Sequence, residues 1–461
     1  MNSPKSPPRS KSKLFINQIC YLLISFNVGI SSITSLATNY LFKDKFKINP
    51  ATTTQILFIT NLPWLLKPIL GIITDFIPIY GYRRKVYLIL TGVINSLCWV
   101  LMSYFTNSIA NVTILLTVVN CTLSMSTVIG QATVVELSKE KGNDSKNLIS
   151  LYSFFKFVGV LCSSFFKGFL VEKFSIRVVF VVASILPLVL FVSGVMLVEK
   201  RYGYLEKEEK EEKLISTNEK KKEDSLFHKL IVFYCQKKIL IPTSFIIFLL
   251  WAPPGYEQPL FYFNSEALHF TPKDFGYLFL CSTIVSLIII QIYKRFLLKL
   301  EFSIIVSFAR IGYFLSILVH YCIIQRYNLK YGIPDFYAMM LGNSLQNSMR
   351  ELTLLPVFSL AVSLCPKNLE GTIYSVFMSA ITLGSQFGAV TGSFLTNYLS
   401  ITKGNYDNLW ILIKYLLCIT LLPLPILCIL PKDYFNFEKK KSEDAQKGTE
   451  LEEKPTDDSG K

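Results

Sequence analysis

Histidine is scarce in this chain, with three residues in 461. His320 closes an apolar run and His269 lies in a connecting loop, and lone histidines of this kind read as incidental rather than as a proton relay. Ten cysteines are present, yet none forms a Cys-x-x-Cys pair, so neither a zinc site nor a disulfide framework is indicated. Cys20, Cys98, Cys162 and Cys281 are typical of them: they sit in apolar runs as small hydrophobic residues. No glycine-rich phosphate loop and no ATP-binding domain can be read, so nothing in the chain points to the use of ATP. No Ser/His pair, His/Asp cluster or metal-ligand spacing falls within the apolar segments, which argues against an enzyme and against a bound cofactor or metal. Charged residues make up only 17% of the chain, too few for the polar faces of a soluble protein of this size.

What is plentiful is apolar length. Hydrophobic residues make up 51% of the chain and aromatic residues 14%. Runs of about 20 mostly apolar residues, long enough to cross a bilayer, recur between short polar turns. Twelve spanning helices are predicted, over 14–38, 52–74, 85–105, 109–135, 147–171, 176–198, 239–263, 274–298, 302–324, 335–362, 368–399 and 408–430. The fold class is therefore an all-α membrane protein with two six-helix bundles, over 14–198 and 239–430. A Pro/Ser-rich tail at 1–13, a charged linker at 199–238 and a tail at 431–461 are expected to be solvated, disordered and cytoplasmic. The net charge of +15 comes from turns and tails rather than from a basic face interleaved with aromatics, which makes the partner a lipid bilayer and not nucleic acid. With the N-terminus inside, the cytoplasmic connections carry Arg83, Arg84, Lys85, Lys139, Lys141, Lys146, Lys294, Arg295 and Lys299, against Lys43, Lys45 and Lys47 outside.

The stretch from Pro63 to Lys85, PWLLKPILGIITDFIPIYGYRRK, joins the second and third predicted helices. Its Gly71, Asp75, Gly81, Arg83, Arg84 and Lys85 resemble, with a longer spacer, the glycine–acid–glycine–basic pattern of major facilitator transporters. That resemblance implies a gate in which Asp75 faces Arg83 and Arg84 and latches the two bundles in one access state; a plain surface ion pair, worth little, is the alternative. Further pieces resemble the folate–biopterin transporter family: LATNYLFKDKFKINPATTTQ, CPKNLEGTIYSVFMS at 365–379, NYDNLWILI at 405–413 and LLPLPIL at 421–427. The likeness covers nearly all twelve helices. It implies a carrier of folates, pterins and related aromatic acids such as p-aminobenzoate, working by alternating access, with protons as a candidate coupling ion. Where the family often carries Ala-Asp-Ala, this chain has Gly130-Gln131-Ala132, with Glu136 five residues on; where it favours a Pro-Ser-x-Asp-like stretch, this chain has Pro254-Gly255-Tyr256-Glu257. A major facilitator carrier of a different solute and a non-transporting membrane receptor are the competing readings. The plasma membrane is the default location and an organelle membrane the alternative.

An ionisable residue near the bilayer centre costs roughly 2.5–3.5 kcal/mol on insertion scales, so it faces a partner or a wet cavity. A carboxylated aromatic ligand calls for lysine or the arginine fork at one end and aromatic faces at the other. Lys67, Lys156 and Arg350 are the cationic candidates for substrate binding, with Tyr256 and Tyr262 for the ring. Lys67 can instead snorkel, or pair with an acid such as Glu136. Arg350 and Glu351 point about 100° apart on a helix and cannot serve one face, so Arg310 and Glu351 are expected in structural ion pairing. Helix seven reads WAPPGYEQPLFYF, and its prolines predict a break beside a cavity. Glu257 in that break, with Glu136, is the candidate for proton coupling; a packing kink with Glu257 near the outer mouth is the plainer alternative. Gly384, Gly388 and Gly392 repeat every four residues and predict close helix packing.

Overall fold

A computed structural model describes residues 11–139, 145–199, 201, 237–297, 300–364 and 370–429. Residues 1–10 and 431–461 of the predicted tails and most of the predicted linker lie outside the described residues, while residues 11–13, expected to be disordered, open the first helix, Lys11–Ile30. Among the described residues, nine helices are long and apolar enough to cross a membrane: α1 (Phe15–Lys45), α2 (Pro50–Thr74), α3 (Lys85–Tyr104), α4 (Ile109–Thr133), α5 (Leu151–Lys173), α6 (Ile176–Met196), α8 (Pro272–Leu297), α9 (Phe302–Ile324) and α12 (Leu409–Ile429). Three more complete the set. The span α7 comes in two pieces, α7a (Lys237–Trp251) and α7b (Glu257–Glu266), and α10 (Asp335–Leu364) and α11 (Glu370–Tyr398) are long helices.

The helices sort into two bundles by packing. In the first, α1 lies against α5 and α6, and α3 against α4 and α6; in the second, α9 lies against α10 and α12, and α7a against α11. Two seams join them: α5 runs along α8, and α2 runs along α11. Aromatic residues fill the interior, with Trp99 stacked on Phe180 at 5.6 Å in the first bundle. Tyr40 of α1 meets Phe261 and Phe275 of the second bundle edge-on, at 5.4 and 6.3 Å.

Proline decides where the spans bend. Pro63 sits in a 3-10 turn of α2, and Pro187 interrupts α6, because a proline has no N–H for the helical ladder. The first span runs past its predicted end to Lys45. Its lysines find partners that sequence does not show: Lys43 reaches Asp44 at 3.2 Å and the Ser265 hydroxyl at 2.9 Å, and Lys45 reaches the Thr106 hydroxyl at 2.6 Å.

Candidate functional site

The break in α7 is held from three sides. Pro253 cannot donate to the carbonyl of Leu249 four residues back, and the Arg310 guanidinium of α9 donates to that carbonyl instead. The Gly255 N–H donates to the Gly388 carbonyl of α11 at 2.8 Å. A side chain on Gly384 would fall 2.6 Å from the Ile247 carbonyl, and one on Gly392 would collide with the Gly255 carbonyl, so the glycine stripe lets α11 lie directly on α7. Next to the break, the buried Tyr256 hydroxyl lies 3.0 Å from His320 Nδ1, and His320 Nε2 lies 3.1 Å from Asn343 Oδ1. As an acceptor, Asn343 Oδ1 takes the Nε2 proton, which leaves Nδ1 to accept from Tyr256. His320 is thus a fully buried link of α7, α9 and α10, and its lone position in the sequence gave no sign of that role.

The break opens onto a cavity of about 220 Å³ between the bundles. Thr54, Phe58 and Asn61 of α2 line one side. Glu257, Gln258, Arg310, Tyr313, Arg350 and Gln386, from α7b, α9, α10 and α11, line the other. Glu257 and Arg350 are exposed within it, while Arg310 is 2% exposed and its Nε has no hydrogen-bond partner among the described residues. The charges of Glu257, Arg350 and Arg310 all bear on Tyr313, whose hydroxyl also accepts from Gln346 at 3.1 Å. The cavity therefore holds two guanidiniums and one carboxylate, with aromatic faces and amides between them.

One end of the bundle pair is sealed above this cavity. Tyr262 is fully buried there, 2.9 Å from the Thr53 hydroxyl and donating to the Ile48 carbonyl at 2.9 Å. Gln258 donates to Asn39 at 3.2 Å and Ser393 to the Ala51 carbonyl at 2.9 Å. Lys403 ties the loops: its ammonium donates to the Lys43 carbonyl at 2.8 Å and lies 3.6 Å from Glu266, while its N–H donates to Asn49 at 3.2 Å. Glu266 also accepts from Tyr406 at 2.6 Å. Burial, and then that bond to a carboxylate, hold the Tyr406 phenol above its ordinary range, so it remains a donor at physiological pH.

The predicted site residues separate on this frame. Arg350 and Glu257 line the cavity, and Arg310 lines it while bonding a carbonyl; among the described residues neither Arg310 nor Glu351 forms an ion pair. Tyr256 and Tyr262 lie outside the cavity lining, one in the His320 link and one in the seal. Lys67 is 7% exposed with its ammonium 4.6 Å from the Trp64 ring, which Asn120 fixes at 3.0 Å. Lys156 is exposed on α5 within electrostatic reach of Lys67. The side chains of Asp75 and Glu136 lie outside the described residues. The N–H groups of Arg83, Arg84 and Lys85, at the start of α3, donate to the Glu199 carboxylate at 3.0, 3.1 and 3.0 Å. An acid at a helix N-terminus is favoured by the dipole and the unpaired N–H groups. Glu199 was missed because its partners lie more than a hundred residues away and are backbone.

The sequence profile of the BT1 family matches residues 28–450. The chain is 32% identical over 415 residues to the folate-biopterin transporter of Synechocystis sp., covering 90% of this chain and 81% of the relative. It is 29% identical over 451 residues to folate transporter 2 of Plasmodium falciparum, covering 96% and 94%. Among solved structures it is similar to the nucleoside transporter NupG, with TM-score 0.67 and 12% identity over 89% of this chain and 99% of that one. The D-xylose-proton symporter is similar at TM-score 0.64 and 12% identity, over 90% and 96%. The fold is the major facilitator fold.

Proposed function

The chain belongs to the BT1 family, an integral membrane transporter rather than an enzyme, and from that premise we propose that it carries folates and pterins by alternating access. The observation that carries this reading is the cavity between the bundles, lined by Arg350, Arg310 and Glu257 together with Phe58, Tyr313 and Gln386. Arg350 takes a carboxylate of the substrate through its planar fork. The heteroaromatic ring lies against Phe58 and Tyr313. The cavity is smaller than the roughly 300–1,000 Å³ usual for drug-sized ligands, so a folate-length tail extends away from the seal along α2, toward Lys67 and Lys156. p-Aminobenzoate, with a ring and one carboxylate, is within the same chemistry.

The bias of basic residues puts the sealed end outside. Transport requires the Lys43–Ser265 and Lys403–Lys43 contacts to part and the opposite end, around the Asp75–Arg84 turn, to close in exchange. Glu257 is the candidate for proton coupling, as the carboxylate that lines the cavity between the bundles.

The test is uptake into proteoliposomes. Folate and biopterin are expected to accumulate, p-aminobenzoate to compete, and an inward proton gradient to raise the rate in the wild type but not in Glu257→Gln. Ligand that binds without ever entering the lumen means a receptor, and uptake indifferent to an imposed gradient removes the coupling role.

A further inference from the structure

Outside the cavity, a buried cation sits where the two bundles meet. Lys167 of α5 is 5% exposed at the α5–α8 seam. Its ammonium sits 3.7 Å from the centre of the Phe279 ring, on α8 of the other bundle. Among the described residues no carboxylate reaches it. The seam is tight around it: Ser164 and Thr283 lie 3.1 Å apart, and a side chain on Gly168 would fall 2.6 Å from Gly276 Cα. A ring face attracts a lysine ammonium but replaces only part of the water it has lost. A group that is costly to bury, placed where two bodies must separate, is explained if its better partner comes with the other state.

We propose that Lys167 is the first-contact site for anionic substrate. When the seam parts, the freed ammonium takes a carboxylate of the arriving molecule, and on closure that carboxylate passes to Arg350 while the ammonium returns to Phe279. No bond is made or broken in this exchange. The inference rests on the alternating-access reading above and adds a recognition group on the path to the cavity.

The experiment uses the full-length protein in proteoliposomes, with folate, which carries carboxylates, and biopterin, which carries none. Lys167→Met removes the charge and keeps the apolar stem, so the buried position is not strained; Lys167→Arg keeps the charge. Lys167→Met is expected to raise the KM for folate about tenfold, the value of one charge-assisted contact, while kcat and all biopterin kinetics stay within about twofold of wild type. Lys167→Arg is expected to stay near wild type for both. Equal losses for folate and biopterin in Lys167→Met would mean that the lysine only holds the seam, and unchanged folate kinetics would mean that it contacts nothing; either overturns the proposal. A wild type that carries neither compound overturns the transport reading first, and this one with it.

Discussion

Arg350→Gln is expected to lower kcat/KM for folate by about 10- to 100-fold, the ~1.5–3 kcal/mol of hydrogen bonds to a charged group. The reason is geometric. Arg350 is exposed within the cavity and bears on the same tyrosine as Glu257, and no described carboxylate neutralises it there. Its forked donors are thus available to a ligand carboxylate. Arg350→Lys, which keeps the charge but loses the paired geometry, is expected to recover only part of the loss. Biopterin, without a carboxylate, is expected to lose far less than folate. Initial uptake rates over a concentration series, at matched amounts of reconstituted protein, provide the check. Folate kinetics unchanged in Arg350→Gln would take this residue out of the site.

Gly168→Leu is expected to lower net transport by about tenfold or more while leaving the protein folded. The Gly168 position meets backbone on the partner helix: Gly276 Cα at 2.6 Å and the Pro272 carbonyl at 2.7 Å. Backbone cannot rotate away as a flexible side chain would, so the leucine holds α5 and α8 apart. Overpacking costs about 1–3 kcal/mol, which here falls only on the sealed state. A penalty of that size shifts a two-state population by roughly 5- to 150-fold toward the state open at this end. Uptake is expected to fall at least tenfold, and a cysteine placed at Ser265 is expected to label faster with a membrane-impermeant thiol reagent than in the Gly168 protein. Wild-type uptake in Gly168→Leu would show that the seam does not need to close.

The helical layout was legible in the sequence because a bilayer imposes it. Apolar runs of spanning length placed the ninth helix at 302–324, as observed, and the third at 85–105 against Lys85–Tyr104. The broken seventh helix followed from Pro253 and Pro254, and the tight α7–α11 contact from Gly384, Gly388 and Gly392. What stayed hidden depends on pairing across the chain. The seal joins Lys43 to residues 222 and 360 positions away, partly through carbonyls that every residue carries. Arg310 reads as half of an ion pair until the proline-freed carbonyl of Leu249 is placed beside it. His320 looked incidental because both of its partners sit on other helices. Lys167 lies six residues before the end of the α5 span and drew no assignment from the sequence; only the α8 face shows that it is covered.

Alternating access at the sealed end is the claim on which the rest depends, and a reversible lock tests it most directly. Lys43 and Ser265, one on each bundle, are 2.9 Å apart at their side-chain ends. Both are replaced by cysteine and joined with a short cleavable thiol cross-linker, with each single-cysteine variant as control for the native cysteines. Cross-linking is expected to abolish folate uptake in the double variant alone, and cleavage of the linker to restore it. Uptake that continues at the unlinked rate with the two positions joined would contradict transport by parting of the bundles at this end.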